Sequence, residues 1–213
     1  MTTKDIKSTT FYPNLANFAQ DIVNTFDNIS EDRKAQLEKI SQYLAQKIAR
    51  QEPIKAIVIC THNSRRSHLG QAWLQMAAAW YQVEPFHTYS GGTEATAFHP
   101  NAIQALQANG WQIVAKTDED NPIYEVNYGN VAPLEMFSKT YDHQTNPPSK
   151  FAAIMVCTQA DEGCPVVIGA EARFSLPFDD PKEFDHTVVA QTKYIERSQE
   201  IAREMFYLMS KVR

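Results

Sequence analysis

Ile54-Lys55-Ala56-Ile57-Val58-Ile59-Cys60 runs straight into Thr61-His62-Asn63-Ser64-Arg65-Arg66-Ser67. The first stretch is short, apolar and β-branched, as expected of a buried parallel strand. The second is polar, and residues 69–81 beyond it read as a helix. Parallel α/β sheets hold ligands at the carboxyl ends of their strands, which is where this loop falls. Within it stands Cys-(x)5-Arg-Ser. The five residues Thr61, His62, Asn63, Ser64 and Arg65 let successive backbone N–H groups curl inward into an anion-binding nest. A helix beginning near Ser67 adds its amino-terminal partial charge. Arg66 closes the ring and can grip two oxygens of an oxyanion at once. Such surroundings favour the thiolate form of Cys60, and Ser67 is placed to donate its hydroxyl to that sulfur. A strand-end cysteine alone is ordinarily inert packing. With the strand, the loop and the helix in sequence, Cys60 reads as a nucleophile beside a bound tetrahedral oxyanion.

Residues 86–90 read as a second short strand ending in Gly91-Gly92. Residues 99–109 are helical, with Pro100 in the first turn and Gly110 just past the end. Phe151-Ala152-Ala153-Ile154-Met155-Val156-Cys157 is a third buried strand, and residues 173–177 are expected to be a fourth. Residues 187–212 close the chain as a long amphipathic helix. Alternating strands and helices point to an α/β fold, an open parallel four-stranded sheet with helices on both faces. Residues 117–150 break the pattern and read as a long loop with one short helix over 133–139. Upstream, Ser30 followed by Glu31 and Asp32 starts a helix with a capping hydroxyl and acids near the positive end of its dipole. Leu37, Ile40, Leu44 and Ile48 give it one apolar face. A weaker helix is expected within 14–28. The division that follows is a helical amino-terminal extension over 1–51 and a catalytic domain over 52–213.

The totals are those of an ordinary globular chain. At 213 residues there is enough material for one well-buried core. A net charge of −5 argues against a general nucleic-acid binder, which needs clustered Lys and Arg. The apolar runs are too short to cross a bilayer, and Met1-Thr2-Thr3-Lys4-Asp5 lacks the layout of a secretory leader. Three cysteines are too few for a secreted disulfide framework, and six histidines show no tight zinc-ligand spacing. A cytoplasmic address, no membrane partner, no metal and no cofactor are the expectations.

The run Val58-Ile59-Cys60-Thr61-His62-Asn63-Ser64-Arg65-Arg66-Ser67 resembles the phosphate loop of the low-molecular-weight protein tyrosine phosphatase superfamily, which includes the thioredoxin-coupled arsenate reductases. Tyr89-Ser90-Gly91-Gly92-Thr93-Glu94-Ala95, followed by Pro100-Asn101-Ala102, is similar to the second-strand and helix segment of those reductases. The resemblance spans roughly residues 54–212, apart from 117–150, and leaves the first fifty residues outside it. Two positions depart from the pattern. His62 stands where the superfamily usually has glycine, so that turn must be made with a side chain present. Gln71 replaces a glutamate that helps bind a monovalent cation in some of the reductases, so that cation is not carried over.

What the resemblance implies differs between branches. Both branches use an acid beside the loop, and the aspartate immediately before proline in Leu176-Pro177-Phe178-Asp179-Asp180-Pro181 carries that role over to Asp180. Without the resemblance, Asp-Pro reads as an exposed turn. Cys157-Thr158-Gln159-Ala160-Asp161-Glu162-Gly163-Cys164-Pro165 resembles the redox segment of the reductases, which makes Cys157 and Cys164 the second and third thiols of a relay. Lys182-Glu183 follow the Asp-Pro where the phosphatases carry aromatics, and the first aromatic here is Phe184. Arsenate reduction with a thioredoxin-like reductant is thus the first expectation. A tyrosine phosphatase with Cys157 and Cys164 protecting its nucleophile is the second. A non-catalytic oxyanion-binding or redox-sensing module is the third. Three smaller features stay open. Arg65 either widens the positive field or has no role. Tyr124, Tyr128 and Tyr141 either line an entrance or pack the 117–150 stretch. The amino-terminal helices either dimerise or cover the sheet edge.

Overall fold

A computed structural model describes residues 10–164 and 166–212. Met1 to Thr9, where the leader layout was sought, Pro165 at the end of the redox segment, and Arg213 lie outside the described residues. The elements run α1 (Pro13–Val23), α2 (Glu31–Ala49), β1 (Ile54–Cys60), α3 (Arg66–Trp80), β2 (Phe86–Gly92) and α4 (Pro100–Ala108). They continue with β3 (Gln112–Ala115), β4 (Tyr124–Asn127), β5 (Leu134–Met136), β6 (Phe151–Met155), α5 (Thr158–Gly163), β7 (Ala170–Ser175) and α6 (Ala190–Ser210).

The main sheet is ordered β2-β1-β6-β7 with every pair parallel. The two apolar runs that read as buried strands, β1 and β6, occupy its centre. All five residues of β6 are buried, so both faces of the sheet are covered by helices. The register sets Cys60 opposite Gly92 and Ile59 opposite Met155. The four strand ends therefore gather the Cys60 loop, Gly91-Gly92, Cys157 and the run into Asp180 along one edge.

Helix starts follow the chemistry read from the sequence. Ser30 Oγ accepts from Arg33 N at 3.3 Å, and His99 Nδ1 accepts from Asn101 N at 3.2 Å ahead of Pro100. The closing helix α6 packs against α1, α2, α3 and α4. Leu15, Leu37, Ile40 and Leu44 of the first two helices belong to the same core as the sheet. Ser41 Oγ on α2 donates to Leu208 O on α6 at 2.8 Å, and Lys47 of α2 reaches Glu171 on β7.

The stretch 117–150 departs from the expected loop and short helix. Residues 134–136 are a strand rather than part of a helix, and β3-β4-β5 form a small antiparallel sheet. These strands have three or four residues each, and their inward-facing Val126 and Met136 are fully buried. Two apolar residues ten positions apart leave no periodicity to find. Tyr128 packs against Phe11 and Trp111, and Tyr124 meets Phe98 edge-on, so both tyrosines hold this sheet to the body. Among the described residues no helix is long and apolar enough to cross a membrane.

Candidate active site

β1 delivers Cys60 to the sheet edge almost fully buried, with Ser67 Oγ 3.1 Å from its sulfur. Asn63 organises the turn between them. It adopts φ +44°, a left-handed conformation that Asn tolerates better than other non-glycine residues. Its side chain is wholly buried, donating to Ser67 Oγ at 2.8 Å and accepting from Lys139 N at 2.8 Å. Because Ser67 Oγ accepts from Asn63, its own hydroxyl proton is free to point at Cys60. His62 takes no positive φ, so the side chain in the usual glycine position costs nothing: the left-handed residue is its neighbour. The His62 ring is half-exposed, 3.7 Å from Glu94. Thr61 O accepts from Glu94 N, and Ser64 Oγ donates to Ala97 O at 2.7 Å. α3 begins at Arg66, so its first N–H groups face the loop.

The two arginines part company. Arg66 is buried, donates Nη1 to Phe178 O at 2.9 Å, and pairs through Nη2 with the Asp180 carboxylate. Asp180 also accepts from Lys182 N at 3.1 Å and caps the short 3-10 turn Pro181–Phe184. The Arg66 guanidinium thus holds the Asp180 carboxylate beside the Cys60 loop. Arg65 turns the other way, bonded to Tyr194 OH and to Asp185 at 2.6 Å. Burial opposes ionisation of Asp185, but the bonds from Tyr194 and Arg65 hold its carboxyl below the usual range. Arg65 therefore offers the loop its backbone, and its charge is spent on Asp185.

Cys157 lies at the end of β6, next to β1, and the backbone bond Val156 N to Ile59 O (2.8 Å) fixes the strands there. Its sulfur is buried, 3.4 Å from Thr61 Oγ1, and accepts from Ala160 N as the cap of α5. Cys164 ends the same six-residue helix, half-buried, with Sγ donating to Val166 O at 3.3 Å. All three thiols are free. The arrangement brings Cys60, Arg66, Ser67, Asp180 and Cys157 to one edge, with Cys164 one short helix away.

Sequence reading missed the brace beneath the loop. After β5, Ser138 Oγ donates to His62 O at 3.0 Å, and the Lys139 amide holds Asn63. Gly92 N donates to Lys139 O, and Tyr141 N to Gly92 O at 3.0 Å, the tie that Tyr141 supplies. A Cβ on Gly91 would fall 2.4 Å from Tyr141 Cα, and one on Gly92 2.7 Å from Asn63 N. That close approach is why two glycines stand here. Burial pushes the Lys139 ammonium down to about 8. Behind the loop, His68 is fully buried and stacked on Phe98, and burial drives its pKa well below the ordinary value, leaving a neutral ring. The adjoining cleft, of about 510 Å³, is lined by Arg66, Thr158, Phe178, Asp180 and Phe184. Among the described residues no group of His, Cys, Asp and Glu is arranged to hold a metal ion.

No family model matches the chain. It is 29% identical over 123 residues to a curated arsenate reductase of Bacillus cereus, covering 58% of this chain and 73% of that one. A second, arsenate reductase 2 of Staphylococcus epidermidis, is 26% identical over 123 residues, 58% of this chain and 75% of its own. Both of these sequence relatives are arsenate reductases. The resemblance to the arsenate reductase branch, read from residues 89–102, is borne out. Among solved structures the chain is similar to a low-molecular-weight phosphotyrosine phosphatase from Vibrio cholerae, with a TM-score of 0.49, 14% identity, and coverage of 74% of this chain and 95% of that one. It is also similar to an arsenate reductase in a phosphate-binding state, with a TM-score of 0.48, 16% identity, and coverage of 75% and 99%.

Proposed function

We propose that the chain is an arsenate reductase working through the thiols of Cys60, Cys157 and Cys164. The Cys60 thiolate attacks arsenic(V) held by the loop amides and Arg66, and Asp180 protonates the departing hydroxide as water. Cys157 then attacks the Cys60 sulfur. The S–S bond forms as the S–As bond breaks, and its electron pair stays on arsenic, which leaves as arsenite. Two thiols have been oxidised to a disulfide and arsenic has gained two electrons. Cys164 attacks Cys157 next, releasing Cys60 and moving the disulfide outward, where a thioredoxin-like dithiol reduces it. Free thiols throughout suit a reducing, cytoplasmic compartment.

The observation that carries this reading is the position of Cys157, buried against Thr61 of the oxyanion loop on the strand beside β1. Hydrolysis of a phosphate ester needs no second thiol there, whereas reduction does. Steady-state turnover tests it. With thioredoxin, thioredoxin reductase and NADPH, arsenate should drive NADPH oxidation that Cys164→Ser reduces to background. A second reading, a phosphatase with protective thiols, draws support from the cleft beside Arg66, which is larger than bare arsenate needs. Hydrolysis of para-nitrophenyl phosphate that survives Cys164→Ser, with no arsenate turnover, would favour it.

A further inference from the structure

The acid loop is gripped by two arginines, and one of them comes from the amino-terminal extension. Arg66 takes Phe178 O and the Asp180 carboxylate from the side of the oxyanion loop. From the opposite side Arg33, in the first turn of α2, donates Nη2 to Pro177 O at 2.9 Å. Its guanidinium carbon lies 4.8 Å from the centre of the Phe178 ring, a cation–π contact. The fork is oriented in turn by Glu204 of α6, which accepts from Nε at 2.8 Å, and by Gln36, which accepts from Nη1 at 3.0 Å. Arg33 and Glu204 are both largely buried, so this pair is held in a geometry that an exposed surface pair would not keep. Pro177 and Phe178 are the residues just ahead of Asp179-Asp180. Their backbone continues from β7 through the bonds Leu176 N to Met155 O and Phe178 N to Val156 O.

We infer that Arg33 is a positioning residue for Asp180: through Pro177 O and the Phe178 ring it fixes the loop that presents the acid to the oxyanion. The inference rests on the proposed role of Asp180, and it gives the amino-terminal helices a part in catalysis. A Lys at this position keeps the charge beside Glu204 but lacks the planar fork that serves three partners at once. Misplacing a reacting group by about 1 Å costs on the order of a hundredfold in rate.

A double-mutant cycle tests this in whichever turnover, arsenate reduction or ester hydrolysis, the wild type supports. Arg33→Lys should slow the wild type about tenfold to a hundredfold and leave Asp180→Asn, which no longer has an acid to position, unchanged. Equal slowing in both backgrounds would overturn the inference, since it would make Arg33 a general contributor to folding. Amide hydrogen exchange over residues 177–185 supplies a readout independent of turnover. Exchange there should quicken in Arg33→Lys and in Arg33→Gln while the amides of β1 stay protected. Unchanged exchange in that loop would overturn the inference. A wild type inactive on arsenate and esters alike would sink the functional reading, and exchange would still decide whether Arg33 holds the loop.

Discussion

The loop at Cys60 and the segment from Cys157 to Cys164 lie side by side at one edge of the sheet, yet they are held very differently. The loop is tied from four directions. Asn63 is bonded within the loop and to the Lys139 amide, His62 O takes Ser138, Ser64 is pinned to Ala97, and Gly92 leaves no space beside Asn63 N. The redox segment is a single six-residue helix with Gln159, Glu162 and Gly163 exposed. Its ties to the sheet come from one side, β7: Arg173 donates to Asp161 O and to Cys164 O and pairs with the Asp161 carboxylate, which Ser175 also bonds. An oxyanion site must keep donors in place before the charge arrives, because reorganisation then costs catalysis. The relay proposed above passes a disulfide from one pair of thiols to the next, so its thiols must move, and elements that move come from the weakly held end of a structure. The difference in anchoring is the one that proposal calls for.

Breaking the firmer side should show the largest effect. Asn63→Ala removes two buried hydrogen bonds, strands the Lys139 amide, and puts a less tolerant residue at positive φ. A loss of about 2–4 kcal/mol in unfolding free energy is expected, with turnover down about a hundredfold. Chemical denaturation and steady-state rates check both. Wild-type stability with normal turnover would show that the loop does not need its brace.

The brace itself carries a pH signature. Lys139 holds its folded pKa near 8, below the ordinary value of 10.5. Between these values the unfolded chain binds more protons than the folded one, so stability rises with pH from about 8 to about 10.5. Below 8 the buried charge is a standing cost of about 1–3 kcal/mol. Lys139→Met keeps the packed stem, so it should stabilise the fold at neutral pH and flatten that limb of the stability curve. Denaturation midpoints across pH 7–10.5 would show it. An unchanged slope in the variant would assign the pH dependence to another group.

On the looser side the effect is smaller. Among the described residues nothing outside its own helix turn lies within 4 Å of where a Cβ on Gly163 would sit, so Gly163→Ala fits without a clash there. It should stabilise α5 by up to about 1 kcal/mol and slow the step in which Cys164 reaches Cys157 by about twofold to fivefold. Stopped-flow measurement of disulfide formation reads that step directly. A faster step would mean that the segment need not unwind.

The comparison also shows what a sequence displays. β1, its loop and α3 were legible because a buried parallel strand is an unbroken apolar run and C-x5-R-S has a fixed spacing. Cys157 and Cys164 stood out through their step and their resemblance to a redox segment. Ser138, Lys139 and the sheet of β3, β4 and β5 were not legible. Their strands are too short for alternation, and Lys139 acts through its backbone amide, which any residue possesses. Arg33 reads locally as an ordinary residue in a helix's first turn. Its partner Glu204 is 171 positions away, and no local pattern links such residues. Arg65 stays open in the sequence between widening the positive field and having no role, because its partners Asp185 and Tyr194 lie more than a hundred positions away.

The measurement that bears most directly on the relay is a single turnover without external reductant. Reduced protein would be mixed with one equivalent of arsenate, quenched with an alkylating agent, and its cysteine linkages mapped by mass spectrometry. The relay predicts a Cys157–Cys164 disulfide with Cys60 alkylated in the wild type, and a Cys60–Cys157 disulfide in Cys164→Ser. Every cysteine alkylated in both proteins, three in the wild type and two in Cys164→Ser, with arsenate unreduced, would contradict it.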